Sequence, residues 1–242
     1  MKIFYTILAY LLVIIISYLI GSISFSKLIS SHYGVDISKV GSGNAGGTNV
    51  GRNVSKKAGI LTMFLDMMKC FIAALTTFLI FNYLITYMDI VKYNQFFEVI
   101  CFVSALSCSI GHIYPIFSHF KGGKAVACLA GYTLFISPIM FLLGLIIFFT
   151  LFKVFRKVSI CSILGSFFCF LLSLIPMILD FTVIKDKNIF NGGTYFAPSC
   201  MVHLTYITAI SYFVFFIIIV IKHRSNIKRL INGEEPVTVF KK

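Results

Sequence analysis

Charged residues are scarce in this sequence of 242 residues, of which only 12% are Asp, Glu, Lys or Arg. Soluble domains contain about 25% charged residues. Hydrophobic residues make up 59% of the chain, and 27 of them are Phe. So much apolar surface excludes a soluble domain and a disordered chain. A collagen-like chain and a coiled coil are excluded as well, because the sequence has neither a Gly-X-Y repeat nor a heptad repeat. The composition therefore predicts an integral membrane protein.

Acidic residues are especially few, because 8 Asp and Glu stand against 21 Lys and Arg, for a net charge of +13. In membrane proteins such an excess of cations marks the loops on the cytoplasmic side. No basic run stands on a soluble domain, so we expect no nucleic-acid partner.

Several common motifs are missing. The seven cysteines form no C-x-x-C pair and no Cys/His spacing suited to zinc, so we expect no metal and interpret them as small apolar filler. The P-loop motif G-x-x-x-x-G-K-[ST] is also absent from the sequence. The first apolar run, at 3–20, is too long for a signal-peptide core and has no A-x-A site, so we interpret it as a retained helix.

The apolar residues fall into blocks separated by polar connectors: 3–21, 59–86, 96–110, 125–152, 158–182 and 201–221. With the amino terminus outside, one crossing per block would place more cations outside than inside, against the positive-inside rule. The rule is satisfied if the block 125–152 crosses twice or not at all, and Ser137-Pro138 is a natural break within it. We therefore predict five or seven spans, with the amino terminus outside and the carboxyl terminus in the cytoplasm.

This topology places every polar, glycine-rich stretch at the inner face: 21–57, 111–124, 153–162 and 222–235. The outer connectors, 87–95 and 183–200, contain nothing with an obvious chemical use.

The densest polar stretch, at 40–52, contains five glycines and ends at Arg52. Its glycines allow backbone N–H groups to converge on an anion, and the side chains of Ser42, Asn44, Thr48 and Asn49 add neutral donors. Arg52 supplies a planar fork suited to phosphate or carboxylate. A flexible loop that serves helix packing is the alternative.

Other stretches carry the same kind of chemistry. Lys121-Gly-Gly-Lys124 precedes an apolar block, again a place for an anion. His223 and Asn226, three positions apart, share a helix face near the carboxyl end. A basic tail that binds anionic lipid is the alternative, but it would explain only the cations and not this pair. His112 is either a proton carrier or a helix cap.

Two further groups lie near or within the apolar blocks. Ser159 and Ser162 follow a pair of cations that are typical positive-inside anchors. Asp66 and Lys69 lie inside an apolar block, where we favour an ion pair that supports the glycine loop over direct catalysis.

Donors and cations on one membrane face, among apolar helices, describe a site where an anionic substrate meets an apolar one, as in lipid metabolism. A membrane transporter of a phosphorylated anion is the alternative, although it should carry polar groups through its spans.

Seven stretches, in order over nearly the whole chain, resemble the bacterial acyl-phosphate:glycerol-3-phosphate acyltransferase family (PlsY). They are GSISF at 21–25, VGSGNAGGTNVGR at 40–52, LDMMK at 65–69, GHIYPIF at 111–117, KGGK at 121–124, VSICSI at 158–163 and HRSNIKRLINGEEP at 223–236. The H-x-x-x-x-D signature of CoA-dependent glycerophosphate acyltransferases is absent.

The resemblance implies an all-α integral membrane protein of the bacterial cytoplasmic membrane, with seven transmembrane helices, two of them short. Residues 1–242 would form one acyltransferase domain with its active site facing the cytoplasm. The implied reaction moves a fatty acyl group from acyl phosphate to the sn-1 hydroxyl of glycerol 3-phosphate, and yields lysophosphatidic acid and inorganic phosphate. The resemblance implies no cofactor, metal, acyl-CoA or acyl carrier protein, and no obligate protein partner is evident.

We predict two sets of site residues from the resemblance and the chemistry above. The catalytic set is Ser42, Arg52, Lys124, His223 and Asn226. The substrate-binding set is Gly43, Asn44, Thr48, Asn49, His112, Lys121, Gly122, Gly123, Ser159 and Ser162. We favour the departing phosphate over His223 as the proton acceptor, because the second pKa of phosphate monoesters is about 6.

The sequence departs from the family pattern at Ser24, Gly47, Tyr114 and Ala125. The family usually has glycine at the last of these positions, and an added methyl group restricts the backbone there. We expect activity to be retained.

Overall fold

The computed structural model describes residues 2–88, 94–182 and 206–241. These residues form ten α-helices and no strand. The helices are α1 (Lys2–Ser22), α2 (Phe25–His32), α3 (Gly47–Asn53), α4 (Lys56–Met88), α5 (Asn94–Ile113), α6 (Val126–Ile136), α7 (Pro138–Phe155), α8 (Val158–Thr182), α9 (Tyr206–Lys222) and α10 (Arg224–Ile231). The connector predicted at 183–200, with Cys200, and most of the connector at 87–95 lie outside the described residues.

Five helical segments are long and apolar enough to cross a membrane: Ile7–His32, Lys56–Phe81, Val99–Ser118, Pro138–Phe155 and Val158–Ile175. A sixth is added if α9 and α10, which meet at a bend of 62°, form one span. Helix α6 has 11 residues and rises only about 17 Å, against a hydrocarbon core of about 30 Å. The all-helical membrane fold is thus confirmed, whereas seven crossings and their orientation stay predictions.

The predicted break in the block 125–152 is confirmed. Helix α6 ends at Ile136, and the Ser137 hydroxyl accepts a hydrogen bond from the Met140 N–H at 3.3 Å. Pro138 occupies the first position of α7, where its missing N–H and fixed φ suit a helix start. The two halves are unequal, because α7 is long enough to span and α6 is not.

Close packing of backbones holds the first helices together. A Cβ atom on Gly21 of α1 would lie 2.0 Å from the Cys108 carbonyl oxygen of α5, and one on Gly111 would lie 2.2 Å from the Tyr18 carbonyl oxygen. In lipid, helix association depends on such close contact, because there is little hydrophobic driving force between helices. The contact fixes the end of α5, where the polar residues begin.

The cysteines pack as the sequence predicts. Those in the described ranges are buried and form no disulfide: Cys70, Cys101, Cys108, Cys128, Cys161 and Cys169.

The polar stretches meet at one end of the bundle. The Lys27 Nζ donates to the Ser118 carbonyl oxygen at 3.1 Å. The Thr238 N–H donates to the Arg156 carbonyl oxygen at 2.8 Å. All the groups of the candidate site described below lie at this end.

Candidate anion-binding active site

The glycine-rich loop at 40–52 is organised by Asn49. Its Nδ2 donates to the carbonyl oxygens of Ile37 and Val40 at 3.2 and 3.0 Å. Its Oδ1 accepts from the Ser42 N–H at 3.2 Å and from the Asn53 Nδ2 at 2.9 Å. The Asn49 amide is therefore engaged within the loop, so the structure gives it a positioning geometry rather than a free donor for substrate.

Arg52 lies in the last turn of the short helix α3. Its Nη2 donates to the Thr238 hydroxyl at 2.5 Å. Its Nε is buried and has no hydrogen-bond partner among the described residues. A buried donor without a partner is costly, and an anion bound beside Arg52 would supply the missing acceptor.

Lys124 belongs to a network that joins the loop before α6 to α8 and α10. Its Nζ donates to the Asn226 Oδ1. The Asn226 Nδ2 donates to the Ser159 hydroxyl and to the Glu235 carboxylate, both at 2.8 Å. The Ser159 hydroxyl also donates to Glu235 at 2.6 Å, and the Arg229 Nε completes the network at 2.8 Å from the second Glu235 oxygen.

The charges in this network do not cancel. Arg229 is paired with Glu235, whereas no carboxylate lies within ion-pair distance of Lys124 or Arg52 in the described part of the chain. Both cations are partly buried and contact neutral oxygens, those of Asn226 and Thr238. This is the arrangement expected where the counter-charge is a bound anion.

The pKa values reflect the same imbalance. Burial lowers the pKa of Lys124 from 10.5 to about 8, which the charge of Glu235 only partly opposes, and the cations Arg229 and Arg52 add to the shift. Burial would favour protonated Glu235, but the hydrogen bonds from its three partners outweigh it and lower the pKa of that carboxyl. The Lys124 ammonium, with a pKa of about 8, therefore loses its charge at a lower pH than an ordinary lysine.

His223 lies at the bend between α9 and α10 and is buried. Its Nδ1 lies 2.8 Å from the Ile219 carbonyl oxygen. Because a carbonyl can only accept, Nδ1 carries the proton and the Nε2 of the neutral ring is an acceptor. Burial lowers the pKa of His223 to about 4, and the charge of Lys124 acts in the same direction, so the ring is neutral at pH 7.

A buried ion cluster supports the loop that carries Lys124. Asp66 and Lys69 form the predicted ion pair at 2.9 Å, and the Lys69 Nζ also donates to the Ile23 carbonyl oxygen at 2.8 Å. The His112 Nδ1 lies 3.4 Å from the same Asp66 oxygen. Through His112, this cluster contacts the Gly122-Gly123 pair, which directly precedes Lys124.

The Gly122-Gly123 backbone packs directly against His112. A Cβ atom on Gly122 would lie 2.0 Å from the His112 carbonyl oxygen, and one on Gly123 would lie 2.1 Å from the His112 Nε2. The Gly123 N–H donates to that carbonyl oxygen at 3.0 Å. His112 thus faces Asp66 and the glycine pair, and its contacts fix the approach of the chain to Lys124.

The structure does not bring every predicted residue into the network. The Ser162 hydroxyl donates to the Val158 carbonyl oxygen of its own helix at 2.8 Å. Ser42, Gly43 and Lys121 are exposed. Asn44 and Thr48 are half-buried in the glycine-rich loop, and no hydrogen bond within the described ranges links their side chains to Lys124.

An apolar groove opens beside the polar network. It has a cavity volume of about 90 Å³ and is lined by α6, α7 and α8, with Val126, Leu129, Phe148 and Gly165 among its walls. Val126 follows Lys124 by two residues, a distance of at most about 7 Å. Polar network and apolar groove are therefore adjacent, as a substrate with a phosphate head and a hydrocarbon tail requires.

Sequence reasoning misses three residues that the structure places in contact with the predicted site residues. Glu235 and Arg229 lie inside the recognised stretch 223–236 but are assigned no role from sequence, although an acidic residue in a basic tail was a usable signal. Thr238 lies beyond that stretch, and nothing in its surroundings marks it.

Ala125 follows Lys124 and has a positive φ of 63°. It is fully buried. The backbone turn before α6 is therefore made in the left-handed region that glycine favours, although the residue is alanine. The predicted restriction at this position takes the form of backbone strain.

The fold and site define a polytopic membrane protein with a partly buried cationic network beside an apolar groove. The family described as glycerol-3-phosphate acyltransferase matches residues 11–233. The glycerol-3-phosphate acyltransferase of Macrococcus caseolyticus is 35% identical over 232 residues, which cover 96% of this chain and 98% of that protein. That of Staphylococcus aureus is 36% identical over 227 residues, covering 93% and 96%.

Two solved structures of PlsY, an integral membrane glycerol 3-phosphate acyltransferase, are similar to this chain at 31% identity and 94% coverage of both chains. The glycerol 3-phosphate form has a TM-score of 0.71, and the lysophosphatidic acid form has a TM-score of 0.70. The chain belongs to the glycerol-3-phosphate acyltransferase family.

Ala125→Gly should raise the free energy of unfolding by about 0 to 1.5 kcal/mol, because it relieves roughly 1 to 2 kcal/mol of left-handed strain and adds about 0.5 to 1 kcal/mol of glycine entropy. Ala74→Gly is the matched control, because Ala74 is also fully buried but lies within α4. That change should destabilise by about 1 kcal/mol or more. Thermal unfolding in detergent measures both, and equal losses would contradict the strain at Ala125.

Proposed function

We propose that this chain transfers a fatty acyl group from acyl phosphate to the sn-1 hydroxyl of glycerol 3-phosphate. The products are lysophosphatidic acid and inorganic phosphate, and the reaction is the first step of phospholipid biosynthesis. Residues 1–242 act as one transmembrane acyltransferase domain in the bacterial cytoplasmic membrane. Family membership supports the proposal, and one observation carries it: Lys124, a partly buried cation without a carboxylate partner among the described residues, lies two residues before Val126 in the wall of an apolar groove.

The charges fit two phosphorylated substrates. Lys124 and Arg52 each retain an uncompensated positive charge, and each substrate brings a phosphate group. The carboxylate of Glu235 is held by Arg229 and by neutral donors, so it orients Asn226 without neutralising Lys124. Charge-assisted contacts of this kind are about twice as strong as neutral hydrogen bonds.

The chemistry needs little beyond orientation and charge stabilisation, because acyl phosphate is already activated. The glycerol hydroxyl oxygen attacks the acyl carbon, the bond from that carbon to the phosphate oxygen breaks, and the hydroxyl proton passes to the departing phosphate. A His223 of pKa about 4 is a weaker base than a phosphate whose second pKa is about 6. We assign His223 the role of accepting a hydrogen bond that orients the hydroxyl.

The groove between α6, α7 and α8 receives the acyl chain. Its walls are mostly apolar, with the hydroxyl residues Thr133, Ser162 and Ser166 also in the lining, and Gly144 and Gly165 contribute no side chain. The polar network at its mouth would hold the phosphate end of the same molecule. This division assigns Lys124, which precedes Val126, to the neighbourhood of the acyl phosphate.

The site faces the cytoplasm in the proposed topology, with the amino terminus outside. The cations of the loops support this orientation through the positive-inside rule. Glycerol 3-phosphate then enters from water, while the acyl chain enters from the membrane.

Purified protein in detergent should release phosphate from palmitoyl phosphate only when sn-glycerol 3-phosphate is present, and should form lysophosphatidic acid. Palmitoyl-CoA should give no product. Product from palmitoyl-CoA alone would overturn the proposed donor. Uptake of glycerol 3-phosphate by reconstituted vesicles, without any product, would instead favour the transporter.

Lys124→Ala and Arg52→Ala should each lower the transfer rate by at least about 100-fold, as losses of charge-stabilising donors do. Lys57→Ala is the control, because Lys57 is exposed and its loss changes the net charge equally. Near-normal turnover in either site variant, with the protein correctly inserted, would remove that residue from the site.

The transfer rate at low substrate concentration should fall above pH 8, because Lys124 loses its charge as the pH rises through its pKa of about 8. Below pH 8 the ammonium is charged, and the phosphates are dianions above about pH 6. Lys124→Arg keeps its charge and should move the decline to higher pH. A decline at the same pH in both proteins would assign it to another group.

Gly165→Leu should lower the use of palmitoyl phosphate relative to octanoyl phosphate, because the larger side chain shortens the groove. Gly165→Ala is the control, since a Cβ atom there meets the Phe148 ring at an ordinary 3.9 Å. Competition between the two donors measures the preference. An unchanged ratio in Gly165→Leu would place the acyl chain elsewhere.

A further inference from the structure

The chain after α10 lies across the candidate site as a C-terminal strap, which we define as residues 235–241. The Lys241 N–H donates to the Gly51 carbonyl oxygen at 2.9 Å, and the Lys241 carbonyl oxygen accepts from the Lys56 N–H at 2.8 Å. The strap is thus fixed at its far end to α3 and α4. At its near end, Glu235 contacts Ser159 of α8 and Asn226 of α10.

Thr238 lies in the middle of this strap and is buried. Its N–H donates to the Arg156 carbonyl oxygen at 2.8 Å, which fixes its backbone at the start of α8. Its hydroxyl oxygen accepts from the Arg52 Nη2 at 2.5 Å and from the Val158 N–H at 3.4 Å. The hydroxyl oxygen is therefore a fixed acceptor for one arm of the Arg52 guanidinium.

A hydroxyl at this place has a different effect from a carboxylate. A carboxylate would neutralise Arg52 and compete with a phosphate for the same fork. The hydroxyl of Thr238 sets the orientation of the guanidinium and leaves its charge free. The nearest acidic group on the strap, Glu235, makes its hydrogen bonds with Ser159, Asn226 and Arg229 instead.

This orientation of the guanidinium leaves the Arg52 Nε available as a hydrogen-bond donor. It is buried and has no hydrogen-bond partner among the described residues. With one Nη held by Thr238, the guanidinium cannot rotate freely to place Nε in water. An anionic oxygen that approaches Nε would meet a donor already oriented and desolvated.

From these contacts, we infer that Thr238 is a positioning residue that presets Arg52 for the phosphate of glycerol 3-phosphate. The inference rests on the proposed function. Arg52 is the cation assigned to this substrate because it lies on α3, whereas the acyl groove is lined only by α6, α7 and α8. Thr238 acts through Arg52 and has no part in the acyl-transfer step itself.

Thr238→Val removes the hydroxyl and keeps the shape of the side chain. It should raise the KM for glycerol 3-phosphate about tenfold, the effect of losing a hydrogen bond to a charged group. The KM for acyl phosphate and kcat should change less than about twofold. Thr238→Ser should restore the KM for glycerol 3-phosphate, because it restores the hydroxyl.

Val239→Ala is the matched control, because Val239 lies next to Thr238 on the strap and is 72% exposed. It should leave both KM values and the melting temperature unchanged. If Thr238→Val does not fold, Thr238→Ala removes the same hydroxyl with a smaller side chain.

An unchanged KM for glycerol 3-phosphate in Thr238→Val would overturn the inference. So would a parallel loss of kcat, both KM values and melting temperature that serine does not restore, since that pattern indicates a purely structural strap. A wild-type protein that forms no lysophosphatidic acid would overturn the proposed function instead. An active wild type with an unaffected Thr238→Val overturns only the role of Thr238.

Discussion

The candidate site depends on the carboxylate of Glu235, which neutralises Arg229 and leaves Lys124 and Arg52 without a carboxylate partner among the residues that the structure describes. Its hydrogen bonds with Ser159, Asn226 and Arg229 join α8 to α10, and through Asn226 they fix the acceptor for Lys124. A second carboxylate would cancel the field that an anion needs. Without any carboxylate, the amide of Asn226 would lose its orientation, and the cations would repel one another at the edge of a low-dielectric bundle.

A second charged cluster has a structural role and is assigned no contact with the proposed substrates. Asp66, Lys69 and His112 are buried, and one Asp66 oxygen lies 2.9 Å from the Lys69 Nζ and 3.4 Å from the His112 Nδ1. The cluster holds the end of α5 beside the Gly122-Gly123 backbone, where the absence of side chains allows the loop to approach His112. Intramembrane charges are often taken as substrate contacts. Here the distances support a structural part for Asp66 and Lys69.

Much of this arrangement follows from local sequence chemistry. The break at Ser137-Pro138 could be predicted because proline cannot continue a helix, and Lys124 and Asn226 could be proposed because cations and amides stand out among apolar helices. The uneven lengths of α6 and α7, and the engagement of Asn49 within its own loop, depend on tertiary packing that no local pattern encodes. The contact of Thr238 with Arg52 joins residues 186 positions apart, and a lone threonine near the end of a chain carries no signal of such a partner.

The exposure of α7 has a thermodynamic consequence for the proposed acyl substrate. None of the residues of this helix is buried, so the groove that it closes separates an acyl chain from the bilayer by a single layer of side chains. Transfer of a hydrocarbon chain from lipid into such a groove removes no apolar surface from water, and lipid tails are as apolar as leucine. Partitioning alone therefore contributes little to affinity, and the groove can select chains by shape alone. For the same reason a finished lipid product can return to the bilayer without an energetic penalty for its tail.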